Sequence, residues 1–390
     1  MDFSTLTHYL DSLEGTYGIP ALDCAVYYQN KEIYRHMAGY SNQEKTRPVS
    51  SQDIYFIYSA TKVITSVAVM QLVERGLISL DDMLAKYIPE FDRVQVLEKM
   101  PDMTVFPFET TGPSRPSRKP IKIVDLLSMT SGISYDLESD AIQKTLRETD
   151  HQADLQQLAR AIANQPLLCE PGEHWVYGLS HDVLGAVVEI VTGMTFAQYL
   201  RANIFDLLDM QDVFFDVSTI PLERISEQYA GNMQNDELHR VAKKNRYALT
   251  PRYQSGGAGI ACTLDAYGKF VRALCNGGVS PKGDRILTEA SIAQMQTNRL
   301  HAEALKDYRR GGKAGYGYGL GVRTLMDASE SPSAVGEFGW DGAAGAYVLI
   351  DPANQLGIVY MQHTLMFPKV YFEIHPEVRN QCYAALGKHR

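Results

Sequence analysis

The chain has little that would tie it to nucleic acid, a membrane or a metal. No block of lysine or arginine stands out in its 390 residues and the net charge is -9, so the cationic footprint that nucleic acid needs is missing. The one basic patch, at Arg115, Arg118 and Lys119, is interrupted by prolines and reads as a solvated loop. No run of about 18 apolar residues occurs, which excludes a helix that spans a bilayer. Residues 1–10 carry Asp2 and no cationic stretch ahead of an apolar core, so no secretory signal is visible and a cytoplasmic location is expected. The five cysteines (Cys24, Cys169, Cys262, Cys275 and Cys382) are scattered and lack CxxC spacing, the usage of free thiols in a reducing compartment. The ten histidines are equally dispersed, with no HExxH, so neither a metal nor a cofactor is expected.

What the sequence does hold is a core. Hydrophobic residues make up 45% and charged residues 21%, enough apolar surface for a large domain. Residues 3–15 predict an opening helix, broken at Gly18-Ile19-Pro20. Residues 21–28 and 32–38 alternate Val, Ile and Tyr around Gln29-Asn30-Lys31, a hairpin pattern. Over residues 60–75 apolar side chains cover most of a helix (Val63, Ile64, Val67, Val69, Met70, Leu72), which predicts a central buried helix ended by Gly76. Five prolines mark residues 92–120 as an extended, partly mobile excursion. Helical patterns return at 123–129, 155–164 and 180–192. Short strand patterns come next at 316–323, 346–351 and 357–362, then a last helix at 376–386. Strands at both ends with helices between predict an α/β (α+β) fold. One antiparallel sheet is formed by the N- and C-terminal segments and flanked by the terminal helices, with an all-helical lobe inserted. The division expected is a single catalytic domain over 1–390, with a sheet lobe from 1–60 and 265–390 and a mainly helical lobe from 61–264.

Tyr58-Ser59-Ala60-Thr61-Lys62 opens the central helix. A serine and a lysine three apart lie on one helix face, and the helix N-terminus offers unpaired N–H groups to a developing oxyanion. A serine hydroxyl is a weak nucleophile until a base takes its proton, and a lysine desolvated among apolar neighbours can serve as that base. By itself an S-x-x-K string arises by chance in a chain this long, and an N-cap serine fits the position equally well. Tyr177, past the Pro171-Gly172 turn, is either a phenol able to pass a proton to a leaving group or a half-buried core tyrosine. His181 and Asp182 are adjacent on a helix and do not face each other; His181 reads as surface and Asp182 as favourable charge in the first turn. Gly339-Trp340-Asp341-Gly342-Ala343-Ala344-Gly345 precedes a strand. Small residues there admit a ligand to the backbone and leave an N–H for an oxyanion, although a plain turn has the same composition. The ladder Gly315, Gly317, Gly319, Gly321 is not a phosphate loop, and Gly178-Leu179-Ser180-His181-Asp182 lacks the last glycine of a nucleophile elbow.

Together these pieces resemble the serine β-lactamase and penicillin-binding-protein superfamily, most closely its class C-like and family VIII carboxylesterase members. Ser59-Ala60-Thr61-Lys62 is similar to the family's S-x-x-K. The run from Leu72 to Asp82 is similar to the usual end of the family's nucleophile helix. Asp125-Leu126-Leu127-Ser128-Met129-Thr130-Ser131-Gly132-Ile133 is similar to D-L-L-x-H-T-S-G-L. Pro171-Gly172 to Tyr177, then Asp182-Val183-Leu184-Gly185, resembles the esterase form of the second motif, and Ser255-Gly256-Gly257-Ala258-Gly259 a further family string. Gly339-Trp340-Asp341-Gly342 stands where β-lactamases carry K-T-G and the esterases W-x-G. The resemblance implies Ser59 as nucleophile, Lys62 as its base partner and Tyr177 as proton shuttle. It implies an oxyanion hole from the backbone N–H groups of Ser59 and Ala343, with Trp340, Asp341 and Gly342 at the substrate.

Two departures bear on substrate. Leu179 stands where the β-lactamase Y-x-N carries its amide, and Trp340 and Asp341 replace the Lys and Thr that hold a lactam carboxylate. An anionic Asp341 with no lysine to offset it is expected to repel a carboxylate. The expectation is therefore a serine hydrolase working through a covalent acyl-enzyme, a carboxylesterase on neutral short or medium acyl esters. A β-lactamase or D-amino-acid peptidase, an acyltransferase, and a ligand-binding homologue without chemistry are the alternatives. The expected partner is a small-molecule ester or amide.

Overall fold

The computed structural model describes residues 1–102, 110–231 and 237–388. The hairpin forms where the alternation predicts it. Ala21–Tyr28 and Lys31–Gly39 pair antiparallel, and Gln29 and Asn30 adopt left-handed backbone at the turn, with φ of 49° and 61°. Its next partner comes from the far end of the chain: Leu356–Gln362 lies beside Ala21–Tyr28, with Ala25 opposite Val359. The full sheet has seven strands, all neighbours antiparallel. Their spatial order is Tyr316–Tyr318, Arg323–Leu325, Phe338–Gly339, Tyr347–Asp351, Leu356–Gln362, Ala21–Tyr28, Lys31–Gly39.

Both faces of this sheet are covered, which is why its central strands carry so few polar residues. Cys24 and Val26 pack with Leu6, Leu10 and Leu13 of the helix Ser4–Tyr17, and with Val378 and Cys382 of the helix His375–Ala385. Ala25 and Tyr27 point the other way, to Tyr267, Phe270 and Val271 of the helix Leu264–Cys275. Each fully buried leucine contributes about 2 kcal/mol, so the first helix is held by its three-leucine stripe and Leu10→Ala alone would cost about 2–5 kcal/mol.

Residues 316–323 do not make the single strand expected. The chain reverses between Tyr316–Tyr318 and Arg323–Leu325, with Gly319 N–H donating to Val322 O (2.8 Å) and Gly321 at φ 78°. A side-chain carbon on Gly321 would sit 1.9 Å from Ser66 Oγ, so the turn requires glycine because it presses on the central helix. That helix, Thr61–Glu74, is buried on every side from Thr61 to Leu72, and it packs against Ser180–Thr192.

In the proline-rich excursion, Gln95–Leu97 pairs with Ser114–Pro116. Residues 103–109, and with them part of the expected mobility, lie outside the described residues. The basic patch beyond is tied down: Arg115 meets Glu170 at 2.5 Å and Lys119 meets Glu173 at 2.9 Å. All five cysteines are free and buried. Among the described residues no single helix is long and apolar enough to cross a membrane.

Candidate functional site

Ser59 lies in a short 3-10 turn, Tyr58–Ala60, that runs directly into the central helix. Tyr58 holds φ 44°, a left-handed conformation that costs a bulky residue on the order of 1–2 kcal/mol. Its phenol donates to Gln228 Oε1 (2.6 Å) and its ring stands edge-on to Tyr247, which keeps the turn in place. Upstream, Phe56 N–H donates to His363 Nε2 (3.1 Å), while His363 Nδ1–H donates to Ser226 O (3.0 Å).

Three side chains converge at this turn. Lys62, with no exposed surface, donates from Nζ to Ser59 Oγ (3.2 Å) and to Gly257 O (2.8 Å). Tyr177 O–H donates to Ser59 Oγ at 2.6 Å. Trp340 Nε1–H in turn donates to the Tyr177 oxygen (3.0 Å), and Lys62 Nζ lies 4.7 Å from the Tyr177 ring centre. Ser59 itself is 8% exposed, open only toward the cleft.

Backbone packing brings these distant segments together. The Tyr177 loop lies on residues 129–134: Val176 N–H donates to Met129 O (2.8 Å) and Leu179 N–H to Ser134 O (3.2 Å). A side-chain carbon on Gly178 would fall 1.9 Å from Ile133 O, so only glycine permits that approach. The 255–260 segment runs along the helix. Thr65 Oγ1 donates to Gly256 O (2.6 Å), and Ile260 N–H donates to Thr61 Oγ1 (3.2 Å). On the opposite side, Gly342 is pressed against the backbone two residues before Ser59, where an added side-chain carbon would meet Ile57 O at 2.3 Å. The adjacent Ala343 N–H makes no hydrogen bond among the described residues.

The cleft above Ser59 has a volume of about 340 Å³ and walls of Tyr135, Tyr177, Tyr247, Trp340, Tyr371 and Phe372. Of the side chains that sequence reasoning passed over, only Tyr135 had a signal, two residues beyond Gly132-Ile133. Nothing local marks Tyr247, Tyr371, Phe372 or Lys313.

Two expectations are corrected here. Asp341 is not an isolated anion: Lys313 Nζ (3.1 Å) and Arg323 Nη1 (2.8 Å) both pair with it. Burial pushes its carboxyl up, but the Arg323 and Lys313 charges more than offset this and hold it well below the usual carboxylate range. The premise that no lysine offsets Asp341 is thereby overturned. His181 is not on the surface but fully buried, with Nε2 3.1 Å from Ser66 Oγ. Burial, with the Lys62 charge adding to it, places it well below the usual imidazole range. Asp182 stands in the first turn of its helix as expected, and it is interior as well, because that helix is enclosed by the Ser59 helix and the 253–257 segment.

A terminal-segment sheet with a serine–lysine–tyrosine cluster at its border with helices is the β-lactamase/transpeptidase architecture. The chain belongs to the Beta-lactamase family, whose model matches residues 6–379, and this places it among serine hydrolases. It is 31% identical over 310 residues to acyltransferase calJ of Penicillium decumbens, covering 78% of this chain and 68% of that one. It is 29% identical over 354 residues to esterase EstB of Burkholderia gladioli, covering 85% and 83%. Among solved structures, the fold of EstCE1, described as a hydrolase with promiscuous acyltransferase activity, superposes with a TM-score of 0.78 at 23% identity, covering 98% of each chain.

Proposed function

We propose that the protein is a carboxylesterase that cleaves neutral esters of short or medium acyl chains through an acyl-Ser59 intermediate. The observation that carries this reading is the sharing of Ser59 Oγ between two proton-bearing groups, Tyr177 at 2.6 Å and Lys62 at 3.2 Å. In the microstate where that pair holds one proton fewer, Ser59 gives up its proton as Oγ bonds to the ester carbon. The oxyanion faces the backbone N–H groups of Ser59 and Ala343. The C–O bond to the alcohol then breaks and Tyr177 returns the proton to the leaving oxygen. Water repeats the sequence: it loses a proton to the same pair, adds to the acyl carbon, and Ser59 leaves with its proton restored. Charge that develops on the Tyr177 oxygen is met by the Trp340 N–H and by the Lys62 cation near its ring.

The aromatic walls of the cleft support an apolar acyl group. The preference for esters over β-lactams is supported by Leu179, a buried residue that does not line the cleft, standing in place of the Y-x-N amide, and not by repulsion from Asp341. A second reading, acyl transfer to an alcohol, is favoured by the likeness to acyltransferase calJ and uses the same residues.

The test is turnover of p-nitrophenyl butyrate against nitrocefin, with intact-mass detection of a Ser59 adduct. Faster ester turnover with a transient adduct is expected. Faster nitrocefin turnover would point to a β-lactamase, and an adduct that persists until an alcohol is added to an acyltransferase. Folded protein that forms no adduct would be a ligand-binding homologue.

A further inference from the structure

We propose that Asp182 is a positioning residue for the serine–lysine pair, its carboxylate supplying the buried counter-charge that holds Lys62 Nζ between Ser59 and Gly257. The inference rests on the reading of Ser59 as nucleophile.

Asp182 is 1% exposed, in the first turn of the helix Ser180–Thr192. Its two oxygens are treated differently. Oδ1 accepts from Tyr253 O–H (2.6 Å), Ser255 O–H (2.5 Å) and Gly257 N–H (3.4 Å). Oδ2 is buried and has no hydrogen-bond partner among the described residues. A bare carboxylate oxygen in a dry interior is unfavourable unless a positive charge stands close by.

Gly257 shows where that charge is. A side-chain carbon there would lie 2.5 Å from Asp182 Oδ2 and 3.4 Å from Lys62 Nζ. Carboxylate and ammonium therefore face each other across a residue that has only hydrogen to put between them. Their separation is therefore at most about 6 Å, short enough for the two opposite charges to attract directly in the interior. The Gly257 peptide joins the two directly, its N–H donating to Asp182 and its carbonyl accepting from Lys62. The other titratable groups around the pair are Tyr135, Tyr177, Tyr253 and the buried His181, and none of them carries a positive charge to replace that of Lys62.

A merely structural Asp182 would tie the 253–257 segment to the helix and nothing more. Asp182→Asn keeps the shape and the Oδ1 acceptor but removes the charge, whereas Ser255→Ala removes one tie and keeps the charge. The readouts are the pH dependence of Ser59 labelling by a fluorophosphonate, and kcat and KM on p-nitrophenyl butyrate. Asp182→Asn is expected to lower kcat and labelling about tenfold or more with little change in KM. Its pH profile is expected to move down by about one unit or more, because neighbours of a lost anion release protons more readily. Ser255→Ala should leave the profile in place. Superposable wild-type and Asp182→Asn profiles, or an equal shift in Ser255→Ala, would overturn the proposal. Should Asp182→Asn fail to fold, Gly257→Ala forces the carboxylate away from Lys62; the same downward shift supports the proposal and an unmoved profile overturns it. A wild type labelled at Ser59 that turns over no ester defeats the esterase reading alone, and a wild type that is not labelled defeats both.

Discussion

Trp340 donates its indole N–H to the phenol oxygen of Tyr177 at 3.0 Å, with the two ring centres 5.7 Å apart. The sequence motif places Trp340 only in a wall of the substrate pocket, yet this contact ties the end of the sheet to the phenol that touches Ser59. It joins a residue of the strand-end loop to a loop 163 residues earlier in the chain.

Trp340→Phe keeps an aromatic wall and removes that N–H. Ester kcat is expected to fall roughly tenfold, the cost of one hydrogen bond to an oxygen that bears charge during reaction. Thermal stability should change little. Steady-state kinetics beside a melting curve separates the two effects; an unchanged kcat would show that the contact is only packing.

Gly342→Ala places a methyl group 2.3 Å from Ile57 O, and the loop has to move away from the turn that carries Ser59. Because Ala343 N–H moves with it, a loss in kcat of about 100-fold or more is expected, the usual consequence of removing an oxyanion donor. Burst amplitude with p-nitrophenyl butyrate checks whether acylation is the step affected.

Arg323→Met should be severely destabilising. Arg323 is 4% exposed and holds Asp341 (2.8 Å), Glu337 (3.4 Å) and the Val348 carbonyl (2.9 Å). Its removal takes from the buried Glu337 its cation and leaves Asp341 with Lys313 alone, and a loss of about 3–5 kcal/mol is expected in urea unfolding. Lys313→Gln, at the edge of the same cluster, should cost far less because Arg323 still pairs with Asp341.

Acid should weaken the fold through its buried imidazoles, His363 and His375 as well as His181. Burial pushes His363 and His375 down to about 4 from 6.5. The unfolded chain binds these protons first, so their contribution is complete above pH 6.5 and is lost as pH falls toward 4, on the order of 3 kcal/mol each. For His363 the structural reason is plain: its Nε2 accepts the Phe56 N–H, and a proton there would oppose that donor. Unfolding free energy measured from pH 8 to pH 4 should drop across this window. His363→Gln should reduce the drop by its own share, about 3 kcal/mol, leaving that of His375 and the buried His181.

The hairpin at 21–39, the buried helix after Ser59 and the chemistry-bearing strings were readable because each is a local pattern. Alternation over eight residues specifies a strand, and apolar residues all round specify an enclosed helix. The turn inside 316–325 was not readable, since four glycines in alternation fit a strand as well as a reversal. Only the proximity of Ser66 and His181 to Gly321 requires the bend.

The sequence by itself determined that Ser59 and Lys62 share a helix face and that apolar neighbours enclose them, because the helical repeat belongs to the backbone and needs no partner. The surroundings of each charge were decided only by the tertiary structure. Lys313 and Arg323 reach Asp341 from 28 and 18 residues away, and Tyr253 and Ser255 reach Asp182 from more than 70. The sign and strength of a site's electric field depend on distance through space, and spacing along the chain carries no information about that distance.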